Sequence, residues 1–413
     1  MSYTVAGIDI HKKVLMVVVV EQDAGRAEFL GRRRFGTGSS ELQQLAAWLK
    51  QQGVEEAVME STAQYWKPVW YALEAHMRLQ LAQAFSNRAP RGRKYDFKDA
   101  ERLVRRLLAG ELILSFVPPP EQRALRTMTR TKVQLSRDRG RLHNQLEGLL
   151  EEMRIKLSSV LSDLLGSSGL RILRALAKGD SDAESLAALG DDRLHCTHEQ
   201  LVDALRGTFQ PMHRKLLTLY LDRLELLDKQ IAELHQATAE AMREHAEAVA
   251  RLAEVPGFGP DSAQQVIAEV GVEASTFPSP AQLASWVGTN PGRQESAEKN
   301  HSSRSAKGNK YVRRILTEAA QAAVKTKGSH FQEVFRRLLP RLGYLQALWA
   351  IAHRLCRLVW KILHQKVRYV EQGAQRDPKA LKKRLHHVAR ALRQLGYDVN
   401  LNIAPSQPTP AVG

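Results

Sequence analysis

The order of apolar segments in the first 110 residues limits the fold of this chain more than any other feature. Val5–Ile10 and Val14–Val20 are rich in β-branched residues, Glu28–Phe35 has aromatic and apolar positions near both ends, and short polar connections separate the three segments. Segments of this length and composition predict strands, and short connections favour antiparallel neighbours. We therefore expect the chain to begin with a three-stranded meander.

Helical and strand-like patterns alternate after the meander. A serine at 39 or 40 precedes a helix-periodic segment, as expected of a helix cap. The predicted order is a helix over 41–49, a strand over 56–59, a helix over 65–76, a strand over 79–85 and a helix over 97–108. A meander followed by alternating helices and strands is the element order of the ribonuclease H-like fold, so residues 1–115 are expected to form an α/β domain of that kind.

The sequence becomes all-helical beyond Pro118, Pro119 and Pro120. Apolar residues there recur at intervals of three, four and seven, which is typical of a coiled-coil seam. They are Leu135, Leu142, Leu146, Leu149 and Met153, and later Leu217, Tyr220, Leu224, Leu227, Ile231 and Leu234. We expect residues 116–250 to form a connector of long helices. The spacing leaves open whether the two arms pair within one chain or join two subunits.

Residues 251–403 are expected to form a third, helical and basic domain, followed by a disordered tail over 404–413. Its first motif is Val255-Pro256-Gly257-Phe258-Gly259, between two helix-like segments. This is the form of a helix-hairpin-helix, in which the amides of Gly257 and Gly259 would approach a phosphate. A glycine-rich turn with no ligand is the alternative.

Charge identifies the expected partner. The chain carries 61 Lys and Arg against 44 Asp and Glu, a net charge of +17. Residues 289–400 alone hold 24 Lys and Arg against 7 Asp and Glu, so this segment accounts for the whole excess. A basic domain on a nearly neutral body is typical of a protein that binds a polyanion, although a surface tuned for solubility would look similar.

Several classes of protein are excluded by composition. Two cysteines in 413 residues do not make a disulfide scaffold, and they favour a reducing compartment. The start of the sequence lacks the basic and apolar regions of a signal peptide, and no apolar run is long enough for a membrane span. There is no GxxxxGK[ST] motif, so strand exchange by this chain would have to conserve the phosphodiester energy without nucleotide hydrolysis.

Four acidic residues stand out in the first domain. Asp9 interrupts an apolar strand, where a charge is costly without a partner or a metal, and Glu60 ends another strand. Asp96 and Asp99 are three residues apart at the start of a helix. In the expected fold all four converge at one edge of the sheet, where carboxylate oxygens suit Mg²⁺ or Mn²⁺ and phosphoryl transfer. The alternatives are helix N-terminal roles for Asp96 and Asp99, and a capping role for Glu60.

These residues, together with motifs in the third domain, resemble the DEDD insertion-sequence transposases. The motifs are Gly7-Ile8-Asp9-Ile10-His11-Lys12, Met59-Glu60-Ser61-Thr62, Asp96-x-x-Asp99-Ala100, Val255 to Gly259, Asn290 to Ala297, and Ala306-Lys307-Gly308-Asn309. The resemblance extends over about residues 3–400. That family couples a RuvC-like domain to a C-terminal transposase domain with a nucleophilic serine.

The resemblance implies a metal-dependent recombinase that moves its own element between donor and target DNA, guided by a structured noncoding bridge RNA. Asp9, Glu60, Asp96 and Asp99 correspond to the metal-binding tetrad, and Ser296 to the serine that holds DNA as a phosphoserine ester. Ser302, Ser303 and Ser305 are nearby alternatives, and Glu298 stands where many members have glycine. The residues expected to bind nucleic acid, besides Gly257 and Gly259, are Arg293, Lys299, Arg304, Lys307, Lys310, Arg313 and Arg314.

The main hypothesis is thus an RNA-guided recombinase, dimeric or tetrameric, in the prokaryotic cytoplasm at the nucleoid. Three alternatives stay open: a site-specific DNA invertase of the same superfamily, a RuvC-like structure-specific nuclease that needs the acids but not Ser296, and an inactive nucleic-acid-binding protein. The presence of all four acids argues against the last one.

Overall fold

The structure is a computed structural model that describes residues 3–23, 26–61, 63–87, 97–291, 294–296, 299–302 and 305–371. The chain divides into two compact units, residues 1–119 and residues 120–413, and each is described by itself. The predicted disordered tail over 404–413 lies outside the described residues. No helix among the described residues is long and apolar enough to cross a membrane.

The first unit is built on a six-stranded mixed sheet with the strand order β3-β2-β1-β4-β5-β6. The strands are β1 (Tyr3–Ile10), β2 (Val14–Asp23), β3 (Arg26–Gly36), β4 (Glu56–Glu60), β5 (Arg78–Ala82) and β6 (Leu114–Ser115). β1, β2 and β3 are antiparallel, as the meander predicts, whereas β4 and β5 run parallel to β1. This mixed sheet is compatible with the predicted ribonuclease H-like domain.

Helices cover both faces of this sheet. They are α1 (Ser39–Gln51), α2 (Trp66–Leu73) and α3 (Lys98–Leu108). Alternate residues of a strand point to opposite faces, so Ile8 and Met59 pack with α1 and α2, whereas Val5 and Val58 face α3. The predicted strand over 79–85 is too long, because the chain leaves the sheet after Ala82 and forms a 3₁₀ turn over Ala84–Asn87.

Gly7 allows α3 to lie directly on β1. A Cβ atom at this position would be 2.2 Å from the carbonyl oxygen of Ala100 and 2.8 Å from Cγ2 of Val104. Only glycine permits such a close approach of two backbones. Because Asp9 follows Gly7 on the same face of β1 and Asp99 precedes Ala100, this contact brings the first turn of α3 to the end of β1.

Among its described residues, the second unit is helical except for one hairpin. Its helices are α4 (Pro120–Glu152), α5 (Leu157–Val160), α6 (Ser167–Lys178), α7 (Ala183–Ala187), α8 (His198–Leu205), α9 (Pro211–Ala241), α10 (Ala246–Ala253), α11 (Pro260–Val270), α12 (Pro280–Val287), α13 (Lys310–Ala323), α14 (His330–Leu342) and α15 (Tyr344–His364). The hairpin consists of β7 (Gln294–Ser296) and β8 (Lys299–Ser302).

The long helices α4 and α9 pack against each other in antiparallel directions. Arg139 Nε is 2.5 Å from Asp228 Oδ1, and Lys132 Nζ is 3.5 Å from His235 Nδ1. Their predicted seam residues Leu142, Leu146 and Leu149 share one core with Leu217 and Leu224. The spacing leaves open whether the two helices pair within one chain or join two subunits. In the described residues they pair within one chain. A coiled coil in the strict sense stays a prediction.

Two hydrophobic cores occupy the second unit. One joins the middle and end of α4 to α5–α9, and the other is built from α10–α15 together with Leu125 near the start of α4. α4 therefore contributes to both cores. The predicted division into separate domains over 116–250 and 251–403 stays a prediction.

The contact at Gly7 gives the first testable expectation. Gly7→Ala should destabilise the first unit by about 1–3 kcal/mol, because the added methyl group forces β1 and α3 apart. Hydrogen-exchange mass spectrometry of the full chain should show faster exchange in peptides from β1 and α3. Gly38→Ala is the matched control, because no atom lies within 4 Å of its Cβ position. Equal protection in the two variants would contradict the argument.

Candidate active site

Three of the four predicted acids lie at one edge of the first unit. Asp9 is near the end of β1 and Glu60 is the last residue of β4, and these strands are parallel neighbours. Both residues alternate onto the face that α3 covers, and Asp99 lies in the first turn of α3. Asp96 lies outside the described residues.

The electrostatics of Asp9 indicate that these acids are close together. Burial raises the pKa of the Asp9 carboxyl above its usual value. His11, whose Nε2 is 3.1 Å from Asp9 Oδ2, partly opposes this shift, whereas the negative charges of Asp99 and Glu60 add to it. A carboxylate that is buried beside two others favours either a proton or a cation.

Neighbouring polar side chains orient the other two acids. Asn87, which is buried, donates from Nδ2 to Glu60 Oε2 at 2.9 Å. Arg102 forms an ion pair with Asp99, and its Nε also donates to the carbonyl oxygen of Asn87 at 3.2 Å. Asn87 and Arg102 therefore link the end of β4 to the start of α3. Neither residue was predicted from the sequence, because no local pattern singles it out.

The donors fit a hard divalent cation in their chemistry. Mg²⁺ and Mn²⁺ prefer carboxylate oxygens, which Asp9, Glu60 and Asp99 supply. Within the part of the chain that the structure describes, however, no three His, Cys, Asp or Glu side chains are close enough to hold a metal ion together. The three carboxylates thus interact electrostatically without forming a closed cage.

Ser296 ends β7 of the hairpin in the second unit. Its backbone pairs with that of Lys299, the first residue of β8, in antiparallel register. The segment is therefore a two-stranded hairpin rather than the irregular loop that its composition suggests. The predicted phosphate contacts Arg293 and Arg304 lie outside the described residues, and for Ser296 and Lys299 the structure describes the backbone.

The two ends of the segment that carries the hairpin are held together. The backbone N–H of Asn309 donates to the carbonyl oxygen of Trp286 at 3.3 Å. A Cβ atom at Gly308 would be 2.2 Å from the carbonyl oxygen of Val287, so the two backbones touch there. Thr289 is buried, and its hydroxyl lies 3.4 Å from Nδ1 of His353 in α15. The backbone segments on either side of the hairpin, residues 286–289 and 308–309, thus contact each other and form the base of the hairpin.

A buried carboxylate anchors this base. Glu269 of α11 has a side chain that is 2% exposed, and Arg130 of α4 binds both of its oxygens, at 2.7 and 2.8 Å. Asn309 donates from Nδ2 to Glu269 Oε2 at 2.8 Å, while its own Oδ1 accepts from the N–H groups of Tyr311 and Val312. Asn309 therefore caps α13 and fastens the base of the hairpin to α11.

Arg126 completes the environment of Glu269. Its Nε lies 3.5 Å from Glu269 Oε2, and its guanidinium also donates to the carbonyl oxygens of Ala268 and Glu269. Burial lowers the pKa of Arg126 to about 10, so the group still carries its charge at neutral pH. This network joins α4, α11 and α13. In the sequence, the one indication of this network is a charged residue, Glu269, in the otherwise apolar end of α11.

The predicted nucleic-acid contacts in α13 and just before it fall into two groups. Lys307 and Lys310 are exposed, although Lys310 Nζ also lies 5.2 Å from the ring centre of Tyr311. Arg313 donates to the carbonyl oxygens of Gly288 and Ala306 and lies over the ring of Trp349. Arg314 binds Glu318 and donates to Gln265 Oε1 at 2.6 Å. The two lysines are therefore free to face solvent, whereas the arginines hold the fold together here.

The glycine-rich turn between α10 and α11 packs against α13. Gly257 has a φ of +92°, and a Cβ atom there would be 2.1 Å from the carbonyl oxygen of Ala319. The N–H of Gly259 donates to Ser262 Oγ at 2.8 Å. The need for glycine at 257 is thus explained by packing, and the phosphate contacts of Gly257 and Gly259 stay a prediction.

The raised pKa of Asp9 predicts a pH-dependent stability. Below about pH 3.9 the carboxyl is protonated in both the folded and the unfolded chain, and above its raised folded pKa its buried charge destabilises the fold. Asp9→Asn should therefore raise the melting temperature in EDTA at pH 8, and the gain should shrink as the pH falls towards about 4. Thermal melts of the full chain measure this.

Two comparisons make that measurement specific. Glu55→Gln neutralises an exposed acid beside β4 and should leave the melting temperature unchanged. Added Mg²⁺ should stabilise the wild type but not Asp9→Asn. A gain of equal size at pH 4.5 and pH 8 would show that the pKa of Asp9 is not raised.

The Glu269 network predicts a large loss of stability on neutralisation. Glu269→Gln leaves Arg126 buried without its charge partner, which typically costs about 3–5 kcal/mol. Urea denaturation followed by hydrogen exchange in α11 and α13 measures this. Glu318→Gln removes an exposed partner of Arg314 and should cost about 0.5 kcal/mol or less. Similar losses in both variants would argue against a special role for Glu269.

Comparison with known proteins shows the family of the chain. A DEDD transposase model of the IS110 group matches residues 6–155, and the model described as the transposase IS116/IS110/IS902 family matches residues 249–336. Together they cover more than half of the chain. A probable family 20 transposase of Pseudomonas aeruginosa is 27% identical over 315 residues, which is 75% of this chain and 83% of that protein. The first match contains Asp9, Glu60 and Asp99 and the second contains Ser296, so the chain belongs to the IS110 family of DEDD transposases.

Proposed function

We propose that this transposase cleaves and exchanges DNA strands in a metal-dependent reaction that passes through a phosphoserine ester at Ser296. The observation that carries the proposal is the electrostatic interaction of Asp9 with Glu60 and Asp99 at one edge of a mixed sheet. A partly buried carboxylate beside two others is the environment that a divalent cation would stabilise.

Asp9, Glu60, Asp96 and Asp99 would hold Mg²⁺ or Mn²⁺, which activates an attacking oxygen and stabilises a leaving one when bound. The other residues of the site serve these acids. Asn87 fixes the orientation of Glu60 through its amide hydrogen bond, and Arg102 holds Asp99. His11 lies beside Asp9, with its Nε2 3.1 Å from Asp9 Oδ2.

Ser296 would supply the nucleophile. Its Oγ would attack a DNA phosphorus and form a serine phosphodiester while the bond from phosphorus to one deoxyribose oxygen breaks. The serine proton passes to a base, and the departing deoxyribose oxygen takes up a proton and leaves as a hydroxyl. A free deoxyribose hydroxyl from another strand then attacks the same phosphorus and releases the serine. The number of phosphodiester bonds is conserved, so the exchange needs no nucleotide hydrolysis.

Further parts of the proposal rest on the resemblance to the family. They are guidance by a structured noncoding bridge RNA, a dimeric or tetrameric assembly, a helix-hairpin-helix contact with phosphate at Gly257 and Gly259, and a location at the prokaryotic nucleoid. The exposed lysines 307 and 310 support a nucleic-acid contact near the hairpin, because neither has an acidic partner among the described residues. Arg293, Lys299, Arg304, Arg313 and Arg314 would add to that contact.

A recombination assay tests the covalent step. Full-length protein is mixed with Mg²⁺, donor DNA, target DNA and RNA transcribed from the flank of the element, and denaturing gels report any protein-DNA adduct. Wild type should form an adduct, while Ser296→Ala and Asp9→Ala should each lose it by at least about 100-fold, as removal of a nucleophile or metal ligand does. Ser305→Ala is the matched control and should behave as wild type.

The alternatives give different results in the same assay. Cleavage that survives Ser296→Ala without any adduct would identify a structure-specific nuclease. An adduct that persists in Ser296→Ala and disappears in Ser305→Ala, Ser302→Ala or Ser303→Ala would move the nucleophile to that serine. Inversion of a segment without its transfer would identify an invertase.

A further inference from the structure

The connection between α14 and α15 presents an apolar tip. α14 ends at Leu342 and α15 begins at Tyr344, so Gly343 alone joins them, with a φ of +72° that favours glycine. This sharp turn leaves Leu345 78% exposed and Tyr344 49% exposed. Leu345 is the most exposed large apolar side chain among the described residues, although it belongs to a well-packed pair of helices.

The backbone beneath this tip is firmly supported. The inner face of α14 buries Phe331, Val334 and Phe335 in the larger core of the second unit. The ring of Tyr344 packs edge-on against Phe335, with 5.6 Å between ring centres. Pro340 lies in the last turn of α14, where its ring restricts the backbone. An apolar side chain is therefore held out into solvent on a rigid support.

Unpaired cations surround the tip. Arg336, Arg337 and Arg341 are exposed on α14, and no described acid forms an ion pair with any of them. Residues 334–370 contain eight Lys and Arg and no Asp or Glu. Burial and the charge of Arg337 lower the pKa of Arg354, so these two cations lie near each other, and Glu333 in the first turn is the one acid of α14. Such a surface repels itself unless a polyanion covers it.

We infer that the tip formed by Leu339, Tyr344, Leu345, Arg336, Arg337 and Arg341 is a wedge that bends duplex DNA. Leu345 inserts between base pairs from the minor groove, and the three arginines bind the phosphates on either side. The inference rests on the proposed function only in taking DNA as the substrate. None of these residues belongs to the acidic site or to the serine hairpin.

Duplex DNA fits this surface better than a protein or an RNA helix. A protein partner would have to cover a small apolar area while it desolvated three unpaired arginines, which is costly. Duplex DNA offers phosphates for the arginines and an apolar gap between unstacked bases for the leucine. The minor groove of an RNA helix is wide and shallow and offers the leucine less of an enclosing wall.

Fluorescence energy transfer between the ends of a duplex tests the wedge. Full-length protein in EDTA, which prevents metal-dependent cleavage, is added to a duplex of about 30 bp with dyes at both ends and flexible TA steps at its centre. Wild type should bend it by at least about 20° and raise the transfer efficiency. Leu345→Ser should lose the bend. Leu219→Ser, at a leucine of α9 that is 54% exposed, is the matched control and should retain it.

The arginines are tested by salt dependence. Replacing Arg336, Arg337 and Arg341 together by glutamine should reduce the slope of log affinity against log salt concentration by about 0.9 per lost phosphate contact. An unchanged slope would remove the arginines from the interface.

Three other outcomes would overturn the inference. They are a bend that persists in Leu345→Ser, a sedimentation coefficient that falls in Leu345→Ser and so reveals a second copy on the tip, and equal competition by an RNA duplex. The adduct assay is independent of this one. If no adduct forms but the duplex is bent, the role of the serine is rejected and the wedge is retained. If the adduct forms but the duplex is not bent, only the wedge is rejected.

Discussion

The buried carboxylate of Glu269 organises the part of the second unit that carries the serine hairpin. An ionised side chain that is 2% exposed is costly unless it is paired and hydrogen-bonded. Arg130 and Arg126 of α4 supply the charge, and Asn309 supplies a further hydrogen bond from the first residue before α13. Because the two arginines come from α4 and the asparagine precedes α13, the network fixes α4, α11 and the base of the hairpin relative to one another.

Asp9 illustrates the opposite use of a buried carboxylate. Its burial is compensated only in part by His11, and two further acids raise the cost of its charge. Glu269 is paired with cations of the chain itself, whereas Asp9 lies where a cation from solution would bind most favourably. The contact of Gly7 with Ala100 produces this arrangement, since it sets the start of α3 against the end of β1.

The sequence was sufficient for features that depend on local pattern. Strand alternation and short connections predicted the meander of the first three strands, and a charge inside an apolar strand identified Asp9. Contacts between residues distant along the chain could not be predicted from the sequence. Asn87 and Arg102 have no recognisable spacing from the acids they hold, and a seam of leucines does not determine whether its partner helix lies in the same chain. The hydrogen bonds of Arg313 to the carbonyl groups of Gly288 and Ala306 could not be predicted either, because those groups adjoin it only after folding.

The continuity of α4 has a mechanical consequence. Its 33 residues span about 50 Å, with Leu125 in one hydrophobic core and Leu142 to Leu150 in the other. A helix of this length acts as a lever, because a tilt of about 5° at one end displaces the other by about 4 Å over that span. Arg126 and Arg130 attach this lever to Glu269 near one end. Repacking around its far end with α9 would therefore be transmitted through α4 as a displacement at the base of the serine hairpin, and the intervening contacts of Arg139 and Lys132 with α9 would adjust to it.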